Sequence, residues 1–315
     1  MSSNAQVFGI IKSNKETLAF ANVTIKETNN GKASDLYGFY EIKGLGLGKY
    51  TLVVSMIGYK TQEKEFEIKY STTISSRWLG FNMKDPILGK NINLRRAIAH
   101  AIDFNKYIEI MSKNTNLKAN SIYNPSIPGY DPSFQKFYTY DLKKAKNYIK
   151  ASGVNLDKFL LTYSTRGTQQ INFKEAEFIK NQLSLIGIKM KIQVLSFSDF
   201  IKKGRAGKIQ FFTDQWIYDY PDAENILQLL ISKNSPGINK SGYQNKIVDE
   251  LYQELSFTLD KDKRFKIMKD IERIVDREIP WIMLMYESSY VLHSKYLQNF
   301  RRFITRMEDR VNNLA

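Results

Sequence analysis

Histidine, cysteine and paired carboxylates are the side chains that most often carry chemistry, and this chain uses them sparingly. It has two histidines, His100 and His293, and no cysteine. Without cysteine there is no disulfide, no thiolate nucleophile and no Cys-based zinc site. His100-Ala101-Ile102-Asp103 lacks the two-histidine spacing with which a helix holds zinc. A lone histidine has no metal partners, so His100 reads as a helix-face residue. Gly44–Gly48 lacks the Gly-Lys-Ser/Thr ending of a phosphate loop and reads as a turn between strands. A Gly-x-Ser-x-Gly elbow does not occur. The expectation is a protein that is not an enzyme and needs no metal or cofactor. One carboxylate stands out, in Trp216-Ile217-Tyr218-Asp219-Tyr220-Pro221-Asp222. Asp219 lies at the end of a strand pattern, where ligand sites of α/β proteins gather. The same position suits an Asp that closes a turn or caps a helix. Asp222 reads as the cap of a helix beginning near Ala223, and Arg166 as a solvated loop residue.

Two kinds of element must position these residues. Val7 to Ile68 alternates as short strands: Val7–Ile11, then Ala19–Lys26 with Ala21, Val23 and Ile25 on one face. Asn29-Asn30-Gly31-Lys32 is a hairpin signal, and Tyr37–Ile42, Tyr50–Ser55 and Glu65–Ile68 complete a pattern that predicts a small β-sandwich. Beyond Trp78 helix and strand alternate, which predicts an α/β lobe. Leu94, Ala97, Ile98, Ala101 and Ile102 fall at helical spacing, and Asp103 caps a second helix. Asp141 opens a helix that Gly153 ends. Phe159–Tyr163, Ile188–Val194 and Gln210–Trp216 read as strands; Phe173–Ile186 reads as a helix stopped by Gly187, and Ser196 caps another. Helices over 245–255 and 261–277 follow, then strands Trp281–Tyr286 and Tyr290–His293.

The composition fits two soluble domains, with 43% hydrophobic and 25% charged residues. No run of 18 apolar residues is present, so no membrane-spanning helix is expected. A formal charge of +15 raises the question of nucleic acid. Lys143, Lys144, Lys146, Lys202 and Lys203, however, fall among helix-periodic apolar residues rather than aromatic stacking platforms. They read as solvated helix faces, and no nucleic-acid partner is expected. The first residues carry no basic and apolar signal segment, though Asn4-Ala5-Gln6 before a strand resembles the tail of one.

Val7-Phe8-Gly9, Ala21-Asn22-Val23, Asp35-x-x-Gly38-Phe39-Tyr40, Gly48-Lys49-Tyr50-Thr51-Leu52 and Ile57-Gly58-Tyr59-Lys60 resemble the carboxypeptidase regulatory-like domain at the N-termini of outer-membrane TonB-dependent receptors. That module is non-catalytic. Trp78-Leu79-Gly80-Phe81-Asn82 is similar to the crossing strand of family 5 solute-binding proteins, the dipeptide and oligopeptide receptors of ABC importers. Leu94-Arg95-x-Ala97-Ile98-x-x-Ala101-Ile102-Asp103, Tyr140-Asp141-x-x-Lys144-Ala145-Lys146, Ile186-Gly187-Ile188-Lys189-Met190, Trp216 to Asn225, Ser241-Gly242-Tyr243 and Ile279 to Leu284 follow in family order. Phe104 departs from the pattern, where the family has a basic residue.

The resemblance implies an α/β protein, α+β overall. A small N-terminal β-sandwich over residues 1–72 precedes a mixed α/β, periplasmic-binding-protein-like lobe over 73–315. The lobe is incomplete, because the family segment before the crossing strand has no counterpart. By resemblance the function is peptide binding for ABC-transporter uptake, impaired by that loss, with a peptide ligand, an inner-membrane permease as partner and a periplasmic location. Asp219 matches the family residue that receives the peptide α-ammonium; beside it, Trp216 and Tyr218 suit the walls of the pocket, and Trp216 suits the core equally well. Strands at Ile279–Leu284 and Val291-Leu292 would expose apolar surface and lead to self-association or to a strand borrowed from the N-terminal domain. The alternatives are an interaction module acting beside outer-membrane receptors and a fusion without function.

Overall fold

The computed structural model describes residues 5–13, 16–28, 30–45, 48–167 and 169–294; for 5–6, 67–73 and 288–294 it describes the backbone alone. The described chain divides into two compact units. One holds the residues up to Thr72 and the end of the last strand from Ser288; the other is Thr73–Glu287.

The first unit is built from strands β1 (Ala5–Ile10), β2 (Lys12–Ser13), β3 (Glu16–Thr17), β4 (Asn22–Ile25), β5 (Gly31–Ala33), β6 (Phe39–Leu45), β7 (Gly48–Ser55) and the start of β8 (Gln62–Phe81). β1 pairs antiparallel with β6, placing Val7 opposite Ile42. β4 pairs with β5 and with β7, and β7 pairs with β8 from Gly48↔Ile68 to Val54↔Gln62. Alternate residues point inward, as the two-residue period of a strand requires. Val7, Val23, Ile25, Tyr40, Ile42, Leu45 and Leu52 form one buried cluster. The Asp35-x-x-Gly38 motif explains itself in the turn before β6. Asp35 Oδ1 accepts from the N–H groups of Tyr37 and Phe39, both at 2.9 Å. Gly38 takes φ +75, where an added Cβ would lie 2.7 Å from the Ile11 carbonyl oxygen.

The second unit is a sheet with helices on both faces. Its strands are β9 (Leu117–Lys118), β10 (Leu160–Arg166), β11 (Lys189–Leu195), β12 (Phe211–Ile217), the later part of β8, and β13 (Trp281–Ser294). The order is β11-β10-β12-β8, with β13 beside β8 and β9 beyond β13. β10 is parallel to both β11 and β12, whereas β12 runs antiparallel to β8. The helices are α1 (Ile92–Ala101), α2 (Phe104–Ser112), α3 (Leu142–Ser152), α4 (Gln170–Ser184), α5 (Phe197–Arg205), α6 (Glu224–Leu227), α7 (Lys246–Phe257) and α8 (Lys261–Glu278). Asp103, Asp141 and Ser196 each accept from the backbone N–H three residues on, which places the starts of α2, α3 and α5. Gly153 closes α3 at φ 65. Among the described residues no helix is long and apolar enough to cross a membrane.

Two large apolar clusters flank this sheet. One gathers Leu79 and Phe81 of β8 with α1, α2 and α4; the other gathers Ile74 and Trp78 with α6, α7 and α8. β13 serves both. Ile282 and Leu284 enter the first cluster, Trp281, Met283 and Tyr286 the second. This overturns the expectation that Ile279–Leu284 would be bare: Ile279, Ile282 and Leu284 are each 0% exposed. The strand is covered on both faces by helices of its own unit and pairs with β8 and, at Met285 and Tyr286, with β9. The side chains of Val291, Leu292 and His293 lie outside the described residues. β8 and β13 also run further than expected, each as one strand where shorter segments were predicted.

Candidate functional site

The end of β12 is fixed from below. Trp216 and Ile217 stand opposite Ser76 and Ser75 of β8, and the Tyr218 N–H donates to the Ile74 carbonyl at 2.9 Å, extending the pairing one residue past the strand. The Tyr218 side chain then turns into the second apolar cluster and is 0% exposed. Its hydroxyl lies 3.3 Å from Ser76 Oγ and 3.5 Å from the Ile122 carbonyl. Burial pushes its pKa up, and the Ser76 contact opposes that. A ligand cannot reach a ring so enclosed, so Tyr218 is a post beneath the strand end and not the pocket wall that the sequence suggested.

Trp216 and Asp219 are placed differently. Trp216 is half-buried against the same cluster, and Asp219 is exposed. One atom joins them: Asn225 Oδ1 accepts from Trp216 Nε1 at 2.7 Å and from the Asp219 backbone N–H at 3.2 Å. Asn225 belongs to α6 and is 1% exposed. The start of α6 is held in turn by Asp222. Its Oδ1 accepts from the Glu224 N–H at 2.9 Å, and both of its carboxylate oxygens accept from Arg264 at 2.9 and 2.8 Å. The cap position of α6 is Ala223, without a side-chain capping bond, so Asp222 is not the helix cap expected of it: it braces the turn into α6 and ties that turn to α8. The outcome is that the indole of Trp216 and the main chain of an exposed Asp219 are held by one atom; an indole face and a carboxylate are both groups that attract a cation. Arg166 closes β10 with its guanidinium carbon 5.9 Å from the centre of the Phe197 ring. His100 is buried, its Nδ1 2.7 Å from the Thr139 carbonyl and its ring stacked on Tyr148. Concavities of about 420 Å³ beside Tyr252 and Phe257 and about 390 Å³ beside Lys269 and Arg273 include none of the three expected site residues.

The opposite face of β8 and β12 holds a polar network that the sequence did not announce. Arg77 donates through Nε and Nη2 to the two Glu175 oxygens at 3.0 and 2.6 Å, and through Nη1 to Gln215 Oε1 at 3.3 Å. Tyr107 and Tyr163 also donate to Glu175, at 2.5 and 3.4 Å. Burial raises the Glu175 pKa, but Arg77 outweighs it and holds the carboxyl below its usual range. Gln215 Nε2 donates to Glu287 at 2.6 Å, and burial lifts the Glu287 pKa. The available signal was a lone arginine inside the apolar crossing strand, since a charge in such a strand needs a partner. Asn225 had no comparable signal, because its role depends on the bend between Tyr218 and Glu224.

The chain matches the family model described as "Bacterial extracellular solute-binding proteins, family 5 Middle" over residues 13–237. Among curated proteins it is 27% identical over 212 residues to di/tripeptide-binding protein 2 of Pseudomonas aeruginosa, covering 66% of this chain and 40% of that protein. It is 27% identical over 247 residues to the glutathione-binding protein GsiB of Salmonella choleraesuis, covering 76% and 48%. Its fold superposes on the ABC transporter-associated periplasmic binding protein DppA from Helicobacter pylori, solved with the peptide STSA. The TM-score is 0.69 at 27% identity, over 78% of this chain and 47% of that one. The chain thus spans less than half the length of these relatives. The relatives favour solute binding over a module acting beside outer-membrane receptors. A family match over more than half of the residues, on a mixed α/β lobe of the same fold, places this chain in the bacterial extracellular solute-binding proteins, family 5.

Proposed function

We propose that this chain binds short peptides with a free N-terminus, as part of ABC-type uptake. Asp219 receives the α-ammonium and Trp216 lines the site. The observation that carries the reading is the exposed Asp219 carboxylate, held at the end of β12 by its backbone bond to Asn225. The names of the relatives, which bind dipeptides, tripeptides and glutathione, support the ligand class. The partner is an inner-membrane permease, the location is outside the cytoplasmic membrane, and the protein binds without catalysing a reaction. The division falls at residue 72, with a carboxypeptidase regulatory-like β-sandwich before it and the binding lobe over Thr73–Glu287; the separate buried cluster of the first unit supports it, and the end of the last strand, from Ser288, goes with that unit. Calorimetry with trialanine and N-acetyl-trialanine tests the ligand assignment. Acetylation removes the ammonium, and an exposed ion pair is worth at most about 1 kcal/mol, so acetylation should weaken binding about fivefold. Asp219→Asn should erase the difference. Equal affinities for the two peptides in the wild type would return Asp219 to the role of a strand-end turn residue.

A further inference from the structure

We infer that Asn225 is the positioning residue of the peptide site, setting the Trp216 indole and the Asp219 main chain with one side-chain oxygen; this rests on the reading of Asp219 given above. Both groups that meet at Oδ1 are N–H donors, at 2.7 and 3.2 Å. An amide turned the other way would aim its NH2 at them and lose both bonds, so the donors fix its orientation. The bend between β12 and α6 brings Trp216 and Asn225 together across nine residues. Two bonds hold the residue's own backbone: its N–H donates to the Asp222 carbonyl at 3.2 Å, and its carbonyl accepts from the Gln228 side chain, Nε2, at 3.0 Å. The side chain is 1% exposed, so it does not itself touch a ligand. Its action passes through its two donors. Loss of the oxygen frees the indole to rotate and the Asp219 peptide unit to turn. The indole and the main chain that carries the carboxylate then lose the atom that sets them. Geometric precision of this kind, supplied from behind the contact residues, is what a binding site needs to distinguish one charged group from its neutral counterpart.

The test uses the full chain labelled with nitrogen-15. The indole N–H resonance of Trp216 is assigned with Trp216→Phe, and that of Trp281, which donates to Ser241 Oγ at 2.8 Å, serves as an internal reference. Asn225→Ala should move the Trp216 indole resonance and speed its exchange with water while leaving that of Trp281 in place. Asn225→Asp keeps an acceptor oxygen and should hold the Trp216 resonance closer to its wild-type position. Ile226→Ala, a cavity in the same short helix that leaves Oδ1 intact, should leave the resonance in place. Titrations with trialanine and its N-acetyl form then read selectivity. The about fivefold preference for the free amine should fall to near unity in Asn225→Ala and persist in Ile226→Ala. An unmoved Trp216 indole in a folded Asn225→Ala protein overturns the bridge. An indole that moves while the preference persists overturns the link to binding. A wild type without any preference overturns the Asp219 assignment instead, and is recognised because the indole response of Asn225→Ala is still present.

Discussion

Arg77 and Glu175 meet with 14% and 1% of their side chains exposed, so removing either leaves the other charged with little water. Breaking such a pair typically costs about 3–5 kcal/mol, because the survivor keeps its desolvation penalty. Arg77→Met should therefore lower the urea midpoint sharply, and Arg77→Met combined with Glu175→Leu should recover much of the loss. Glu272 reports in the other direction. Burial pushes its carboxyl from 4.5 to about 7, although Ser121 donates to it. The unfolded chain gives up this proton near 4.5 and the folded chain near 7, so between those values the folded state binds more protons. Stability should fall as pH rises through that window and level off above it. Asp276, one turn along α8, is pushed by burial to about 6 and adds to the same trend. Glu272→Gln should flatten the slope and stabilise the protein at pH 8 by on the order of 2–3 kcal/mol. Urea melts at pH 5 and 8 measure both, and an unchanged slope in the variant would remove Glu272 from the account. At this scale the sequence disclosed what is local. The capping of Asp103, Asp141 and Ser196 depends on residues three positions away. The Arg77–Glu175 pair joins residues 98 apart and depends on the order of strands, which no spacing reveals.

β13 shows the same limit among elements. The apolar run Ile279–Leu284 was legible as a strand, but its exposure depended on which neighbours it has. Helices on both faces make it an interior strand. Ile282→Lys should accordingly abolish the cooperative melt of the second unit, since an unpaired ammonium cannot be accommodated in that cluster. A soluble variant with wild-type stability would mean that the strand is open to water. Gly153 offers a milder case. It closes α3 at φ 65, and a Cβ there would meet nothing within 4 Å. Gly153→Ala should therefore carry the backbone penalty of the left-handed region alone, about 1 kcal/mol. Gly129, at φ +93, would also press a Cβ to within 2.5 Å of the Phe265 ring, and its replacement by Ala should cost more. Thermal melts of the two variants give the comparison directly. Helix ends were readable for the same reason that these costs are calculable, because a cap or a left-handed glycine acts within one turn. Tyr218 was not readable: nothing in its neighbours tells whether a ring at a strand end turns outward or into the core.

Over the whole molecule, two units each carry a core, and the smaller one is close to the lower size at which a single core suffices. Residues 1–72 expressed alone should show a cooperative but weak melt, and its absence would remove the proposed division at that point. The alternation of strands and then of helix and strand was enough to give the fold class, because each unit buries its own periodic faces. The tryptophans carry a last consequence. The chain has three. Trp78 and Trp281 are buried and stacked, with ring centres 4.5 Å apart at 26°. Trp216 is half-buried, at the candidate site. Buried indoles emit toward the blue and wetter ones toward the red, so the red edge of the intrinsic fluorescence should belong mainly to Trp216. The molecule therefore contains its own optical reporter of the site: a peptide that docks at Asp219 should shift that edge, while the coupled pair in the core registers only unfolding.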